Sequence, residues 1–299
     1  MSEEFEIKKA REYIEKELYS GIEFLASGGQ AFIFLKDFDD YKIIIKYYKN
    51  DYELERKDLI SDLNYHINKI DLIKLEHDNI MKILRVHEEL GIMELEYCGE
   101  YTLNESILTK FSEDNLTTFW HICNAIKYLV ERQLSFTDLK LENVCLFKGK
   151  NKPKLIDTDT LVDITKQPYE KGFYSPGYTD PKSVLYDITN KKFRFDEKSD
   201  IFSLGVILYN VLQRRGLFDL NLFTPWFVFK NHIDAINNLI KNGIPYKNIR
   251  NIKNEHFKEL ITESINVNGN RPSIDDFIDK FEQIIPKKIR KIINNLNIK

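Results

Sequence analysis

Cysteine occurs only three times in 299 residues. The number is odd, the spacing is wide and no C-x-x-C pair exists. A disulfide framework and a structural zinc site therefore have no basis, and a reducing compartment fits. No run of about 18 apolar residues occurs, so no membrane span is expected. The N-terminal MSEEFEIKKAREYIEKEL is charged and helix-forming. It lacks the apolar centre of a secretory signal, which makes a cytoplasmic location the expectation. Positive charge is not in excess either. Lys plus Arg number 44 against 47 Asp plus Glu, a net −3, so no basic field calls for a nucleic-acid partner. Internal repeats and low-complexity linkers are missing too.

What is present is the composition of a globular chain, 42% hydrophobic and 30% charged, long enough for one large domain or two lobes. The first third alternates β-like runs with turns: GIEFLASGG, QAFIFLKDF, DDYKIIIKYY and, later, IMKILRVHEEL and GIMELEYC. Between them, Leu59, Leu63, Ile67, Ile70 and Ile73 recur at three- and four-residue steps, which predicts a helix over 53–75. After Cys98 the character changes. LTTFWHICNAIKYLVERQ reads as a long helix, and DIFSLGVILYNVLQ is apolar around most of its circumference, the pattern of a helix buried inside a domain. Further helices are expected near 230–241, 255–264 and 273–284. A small, mainly β lobe thus precedes a larger, mainly α lobe, with the join near 96–100.

Four short stretches carry chemistry. In LASGGQAFIF, Gly28 and Gly29 allow backbone N–H groups to lie over phosphate oxygens, and Ala31 keeps a third position small. Lys46 ends the strand-like IIIK and needs an anionic partner if buried. In LSFTDLKLENVCLF, Asp138 can accept a proton from an attacking hydroxyl, Lys140 can reach a transferred phosphoryl group, and the oxygen of Asn143 can hold a metal ion. Asp157, leaving the buried run PKLI, is a hard-oxygen ligand suited to Mg²⁺. Taken singly, each has a plain reading: a hairpin turn, a lysine snorkelling to solvent, a polar turn, an Asp-rich strand end.

Their order makes the difference. Over about residues 25–281 the chain resembles a eukaryotic-like serine/threonine protein kinase, as a divergent member. LASGGQAFIF resembles the glycine-rich loop, IIIK the V-A-I-K strand, LEHDNIMKIL the H-P-N-I-V segment and IMELEYC the hinge, with Leu95 as gatekeeper. FTDLKLEN resembles H-R-D-L-K-x-x-N, and DTD stands where D-F-G is expected. SPGYTDPK resembles the T-P-G-Y-x-A-P-E end of the activation segment, KSDIFSLGVILYNVL the central helix with its leading Asp200, and GNRPS the late Arg-Pro motif at Arg271.

The resemblance implies an α+β, bilobal kinase-like fold, with a small mainly-β N-lobe carrying one main helix and a larger mainly-α C-lobe. The implied division is a helical extension over 1–20, the N-lobe over 21–97, the C-lobe over 98–288 and a basic tail over 289–299. It implies ATP and Mg²⁺ as cofactors and protein substrates as partners. Ala26, Gly28, Gly29, Ala31, Ile33, Lys46, Leu95, Glu96 and Cys98 would line the ATP site. Asp138 and Lys140 would be catalytic, and Asn143 and Asp157 would carry the metal. The implied activity is transfer of the γ-phosphate to Ser or Thr hydroxyls. The alternatives are a pseudokinase that binds nucleotide or scaffolds, and a kinase-fold enzyme acting on a small molecule or transferring a nucleotide.

Several positions depart from the family pattern. Phe136 and Thr137 replace the His-Arg pair, which removes the usual receptor for a phosphate on the activation segment. Control by segment phosphorylation is therefore not expected, and alanine at the Ser and Thr positions between 160 and 179 should leave activity nearly intact. Thr158 and Asp159 follow Asp157, and Asp159 is read as a turn residue or a third metal ligand. Asn68 stands where Lys46 should find a glutamate, with Asp71, Glu53 and Glu55 as substitutes. Lys182 replaces the glutamate that pairs with the late arginine, so Asp187, Asp196 or Glu197 is expected to serve Arg271. The N-terminal helix over 2–18 and the basic C-terminus either dock partners, lie on the C-lobe or are solvated helix ends.

Overall fold

A computed structural model describes residues 2–29, 31–49, 72–109, 113–147, 152–166, 174–175, 177–183, 194–213, 241 and 249–297. They fall into two compact units, one of residues 1–76 and 80–98, the other of 77–79 and 99–299.

The first unit opens with helix α1 (Glu3–Glu17). Strands β1 (Glu23–Ser27), β2 (Ala31–Asp37), β3 (Lys42–Tyr48), β4 (Ile83–His87) and β5 (Ile92–Glu96) follow. They form one antiparallel sheet in the order β1-β2-β3-β5-β4. Alternation sorts its side chains into two faces. On one, Phe32, Phe34, Ile43, Ile45 and Ile92 pack against Ala10 and Ile14 of α1. The N-terminal helix is thus neither a solvated end nor a C-lobe element. Its buried pair covers the outer face of this sheet, because that face carries aromatic and branched residues that need a cover. The other face holds Ala31, Leu35, Lys46, Met93 and Leu95, all buried.

The second unit is mainly helical: α2 (Leu103–Thr109), α3 (Glu113–Val130), α4 (Glu197–Gln213), α5 (Glu255–Ser264), α6 (Ile274–Ile284) and α7 (Lys287–Asn297). Asn254 caps α5 by accepting from the N–H groups of His256 and Phe257, and Ser273 caps α6 through Asp276. Helix α4 is buried at every position from Ser199 to Val211. Helices α3, α5 and α6 pack around it. Gly205 permits the α5 approach, since a Cβ there would meet Ser264 Cβ at 2.7 Å. Ile289 and Ile293 bury one side of α7, which packs on α3. The described residues of the unit also form two short ladders. In one, β7 (Leu134–Phe136) pairs with β10 (Leu161–Asp163). In the other, β6 (Tyr101–Thr102) pairs with β8 (Val144–Leu146), and β8 with β9 (Lys154–Leu155).

The fold is the two-part α+β arrangement expected, a β-sheet unit followed by a helical one. The helix expected over 53–75 lies outside the described residues apart from a single 3₁₀ turn, Leu72–Lys74; the helix expected at 230–241 lies outside them except for residue 241. Among the described residues, no helix is long and apolar enough to cross a membrane. All three cysteines are free, and burial raises the thiol pKa of Cys123 and pushes that of Cys145 to about 11.

Candidate active site

Two loops of the second unit are clamped side by side by its ladders. One links β7 to β8 and carries Asp138, Lys140 and Asn143. The other links β9 to β10 and carries Asp157. Leu161 pairs with Phe136 at one end, and Val144 with Leu155 at the other. Between these ends, Thr137 Oγ1 donates to Thr160 O at 3.0 Å, and Ile156 N to Asn143 O at 2.9 Å. Asp157 follows directly on that last bond. It takes a left-handed backbone, φ 59°, and starts the turn Thr158–Thr160. Asp159 lies buried within that turn.

Asp138 is the centre of the first loop. Its Oδ2 accepts from Lys140 Nζ at 2.6 Å and from Asn143 Nδ2 at 3.1 Å. The same Nδ2 donates to Asp138 O at 2.9 Å. The other carboxylate oxygen, Oδ1, is buried and has no hydrogen-bond partner among the described residues. A buried acceptor left open is costly unless a ligand donor meets it. Because Asn143 donates through its nitrogen, its amide oxygen is the atom left to face a cation.

Ser175 belongs to this cluster, although its place in SPGYTDPK suggested no such role. Lys140 Nζ donates to Ser175 Oγ at 2.9 Å. The segment is then held from two sides. The N–H groups of Tyr178 and Thr179 return to Ser175 O, and Arg271 reaches Asp180 Oδ2 at 2.7 Å in a pair with side chains only 5% and 9% exposed. The expectation that Asp187, Asp196 or Glu197 would serve Arg271 is corrected here. Asp196 caps α4 through Ser199, Glu197 accepts from Ile274 N, and Asp187 lies outside the described residues. Asp180 stands two residues before Lys182, close enough for its Oδ1 to accept from Lys182 N as well.

Helix α4 underpins both halves. Asp200 accepts from Phe136 N at 3.1 Å, just ahead of Asp138. Ser203 donates to Tyr178 O at 2.9 Å and Asn210 to the Tyr178 hydroxyl at 3.2 Å. Burial pushes the Asp200 carboxyl up to about 8 against the opposing Ser135 hydroxyl and Phe136 amide. Burial raises the Tyr178 phenol, with the Glu142 charge adding to it.

In the first unit, strand register aligns Ala26 with Ile33, Ile33 with Lys46 and Lys46 with Met93, one row across the inner face. Leu95 sits on the same face in the next row, opposite Ile44. Ala31 is buried at the start of β2, and Gly28 N donates to Ala31 O at 2.9 Å to close the glycine turn. Lys46 is 7% exposed, with its Nζ 5.4 Å from the centre of the Tyr48 ring. Glu96 ends β5, bonded to Lys82 through its N–H and its carboxylate, and Cys98 Sγ donates to Glu96 O. Asn68, Asp71, Glu53 and Glu55, the candidate partners of Lys46, lie outside the described residues.

A family model described as protein kinase domain matches residues 26–281. The chain belongs to the protein kinase family. This kinase domain is 26% identical over 297 residues to "Calcium-dependent protein kinase 4" of Plasmodium berghei, covering 89% of the chain and 54% of that protein. It is 28% identical to "Putative serine/threonine-protein kinase R436" of Acanthamoeba polyphaga mimivirus, covering 59% of the chain and 64% of the relative. A third relative, "Probable serine/threonine-protein kinase nek3" of Dictyostelium discoideum, is 25% identical over 81% of the chain and 21% of its own length. The kinase chain thus spans between about a fifth and two thirds of these relatives.

Proposed function

We propose that the chain is an ATP- and Mg²⁺-dependent protein kinase that transfers the γ-phosphate to serine or threonine hydroxyls, acting in the cytoplasm. The observation that carries this reading is the carboxylate of Asp138, one oxygen tied to Lys140 and Asn143, the other buried and open. A substrate hydroxyl is the donor that Oδ1 lacks. The names of the relatives favour the serine/threonine class.

Asp138 Oδ1 orients the hydroxyl and takes its proton as the oxygen attacks the γ-phosphorus. The new O–P bond forms as the bond to the ADP oxygen breaks, and ADP departs with that electron pair. Lys140 places a positive charge beside the phosphoryl oxygens on which negative charge gathers. Lys46, with the turn at Gly28 and Gly29, takes the phosphates, while Ala26, Ala31, Ile33 and Leu95 receive the base and main-chain groups of Glu96 and Cys98 bond it. The donor set of Asn143 Oδ1 and the Asp157 carboxylate is all oxygen, which suits Mg²⁺ sharing its shell with phosphates and water. Held by Asn143 and Asp157, the ion would supply charge neutralisation at the phosphates.

The test is incubation with ATP labelled at the γ-phosphate, Mg²⁺ and a generic basic protein, with Asp138→Ala as control. Label on Ser or Thr that vanishes in the variant supports the reading. ATP binding without transfer overturns it in favour of a nucleotide-binding pseudokinase, and label only from α-phosphate ATP in favour of nucleotidyl transfer.

A further inference from the structure

The kinase reading gives no task to α1, which lies outside the residues matched to the family, or to Lys49, the residue after β3. The two meet at the glycine turn. Lys49 Nζ donates to Gly28 O at 2.7 Å and to Ser27 Oγ at 2.9 Å. Ser27 in turn donates to Glu3 Oε1 at 2.5 Å, and the same carboxylate oxygen lies 3.7 Å from Lys49 Nζ. The ammonium sits 4.4 Å from the centre of the Phe32 ring. Phe32 is on the outer face of the sheet, the face α1 covers.

The side from which Lys49 acts matters. Strand alternation puts Lys46 on the inner face and carries Lys49, three residues on, to the outer one. Lys49 therefore does not compete with Lys46 for phosphate. It fixes a peptide plane instead. In a trans peptide, the C=O of one residue and the N–H of the next point in opposite directions. Drawing Gly28 C=O to an outer-face ammonium turns Gly29 N–H toward the inner face. Without such a tether two glycines leave the plane free to turn over, and nothing lies within 4 Å of where a Gly29 Cβ would be.

We propose that Lys49, aligned by Glu3 of the N-terminal helix through Ser27, is a positioning residue that locks the Gly28–Gly29 peptide with its amide toward the nucleotide phosphates. This rests on the kinase reading, since it needs a phosphate to receive the amide. It turns the N-terminal extension into part of the nucleotide site without its touching nucleotide.

The role separates phosphate recognition from base recognition, so calorimetric titration of the full chain with ATP and with adenosine tests it. Lys49→Met keeps the stem against Phe32 and removes the donor. Losing the charge-assisted bond to Gly28 O, the one that fixes the peptide, it should weaken ATP about three- to tenfold and leave adenosine within about twofold. Glu3→Gln should give a smaller change in the same direction, and Lys49→Arg should restore most of the preference for ATP. If Lys49→Met weakens ATP and adenosine alike, or leaves their ratio as in the parent, the proposal falls. Should Lys49→Met fold poorly, Ser27→Ala and Glu3→Gln must still lower the ratio, and an unchanged ratio in both overturns it. Failure of the kinase reading shows separately: the unmodified chain would then transfer no label from γ-phosphate ATP, whatever the ratio of its ATP and adenosine affinities.

Discussion

Asp138 has one oxygen held and one open, and the grip on the held oxygen runs through Lys140 to a hydroxyl, Ser175. Ser175→Ala leaves Lys140 one fixed partner fewer, so the ammonium wanders and the open oxygen loses its aim. Steady-state assays should show kcat reduced about three- to tenfold, with nucleotide affinity changed less than twofold. Thr165→Ala, which only removes a bond to the exposed turn at Asp163, should keep kcat. Equal effects from both would discount the Ser175 link. This prediction sets Ser175 apart from the expectation that alanine at the Ser and Thr positions between 160 and 179 leaves activity nearly intact; the group removed is the neutral hydroxyl that Lys140 meets. Asp200 shows a second single-residue effect. Its carboxyl rises from the usual 3.8 to about 8 on folding, because burial disfavours the charged form and Oδ2 has no hydrogen-bond partner among the described residues. The folded chain then binds the proton more tightly than the unfolded one. Stability therefore declines as pH climbs from about 4 toward 8. Asp200→Asn keeps the acceptor for Phe136 N and cannot ionise. Urea midpoints measured across that range should fall less steeply for the variant, and parallel profiles would contradict the assignment.

At the scale of elements, the stretch SPGYTDPK acts as a strut. Ser175 leans on Lys140 at one end, Asp180 on Arg271 at the other, and the turn between them is closed by the Tyr178 and Thr179 amides. Breaking a buried pair from one side leaves a charge uncompensated and costs about 3–5 kcal/mol. Asp180→Ala should thus lower the denaturation midpoint and kcat together. Asp180→Ala with Lys182→Glu, which returns an acid two residues on, should recover part of both, and no recovery would mean that Lys182 cannot reach Arg271. The motif letters identified SPGYTDPK and the departure at Lys182, and they also said that Arg271 needed another acid. They did not find Asp180, because a displaced partner depends on how the turn folds back, and linear spacing carries no such information. The sheet was easier. Alternation in AFIFLKD and KIIIKYY fixes which side chains share a face, so Ala26, Ile33 and Lys46 fall into one row once the strands pair. The loop from β7 to β8 was legible for a related reason: Asp138, Lys140 and Asn143 lie within six residues, and a short loop between two strands has few ways to place them.

For the molecule as a whole, the segment that matches the family begins at residue 26, yet the first unit begins with α1. Ile14 is fully buried and Ala10 nearly so, against the sheet face formed by Phe32, Phe34, Ile43, Ile45 and Ile92. The opposite face carries Lys46 and the row leading to Met93. A sheet five strands wide cannot leave the aromatic face in water without losing the burial that holds its strands in register. The helix is therefore a structural half of the sheet that carries Lys46, as well as the source of Glu3. Ile14→Ala should cost about 2–5 kcal/mol, the range for truncating a buried isoleucine. The loss should be local. Hydrogen exchange of amides in β2 and β3 should quicken by the corresponding factor, while amides in the middle of α4, buried among helices of the other unit, should exchange as before. Equal acceleration in both units would show that the two unfold as one, and no acceleration in β2 would mean that the sheet holds its outer face without α1.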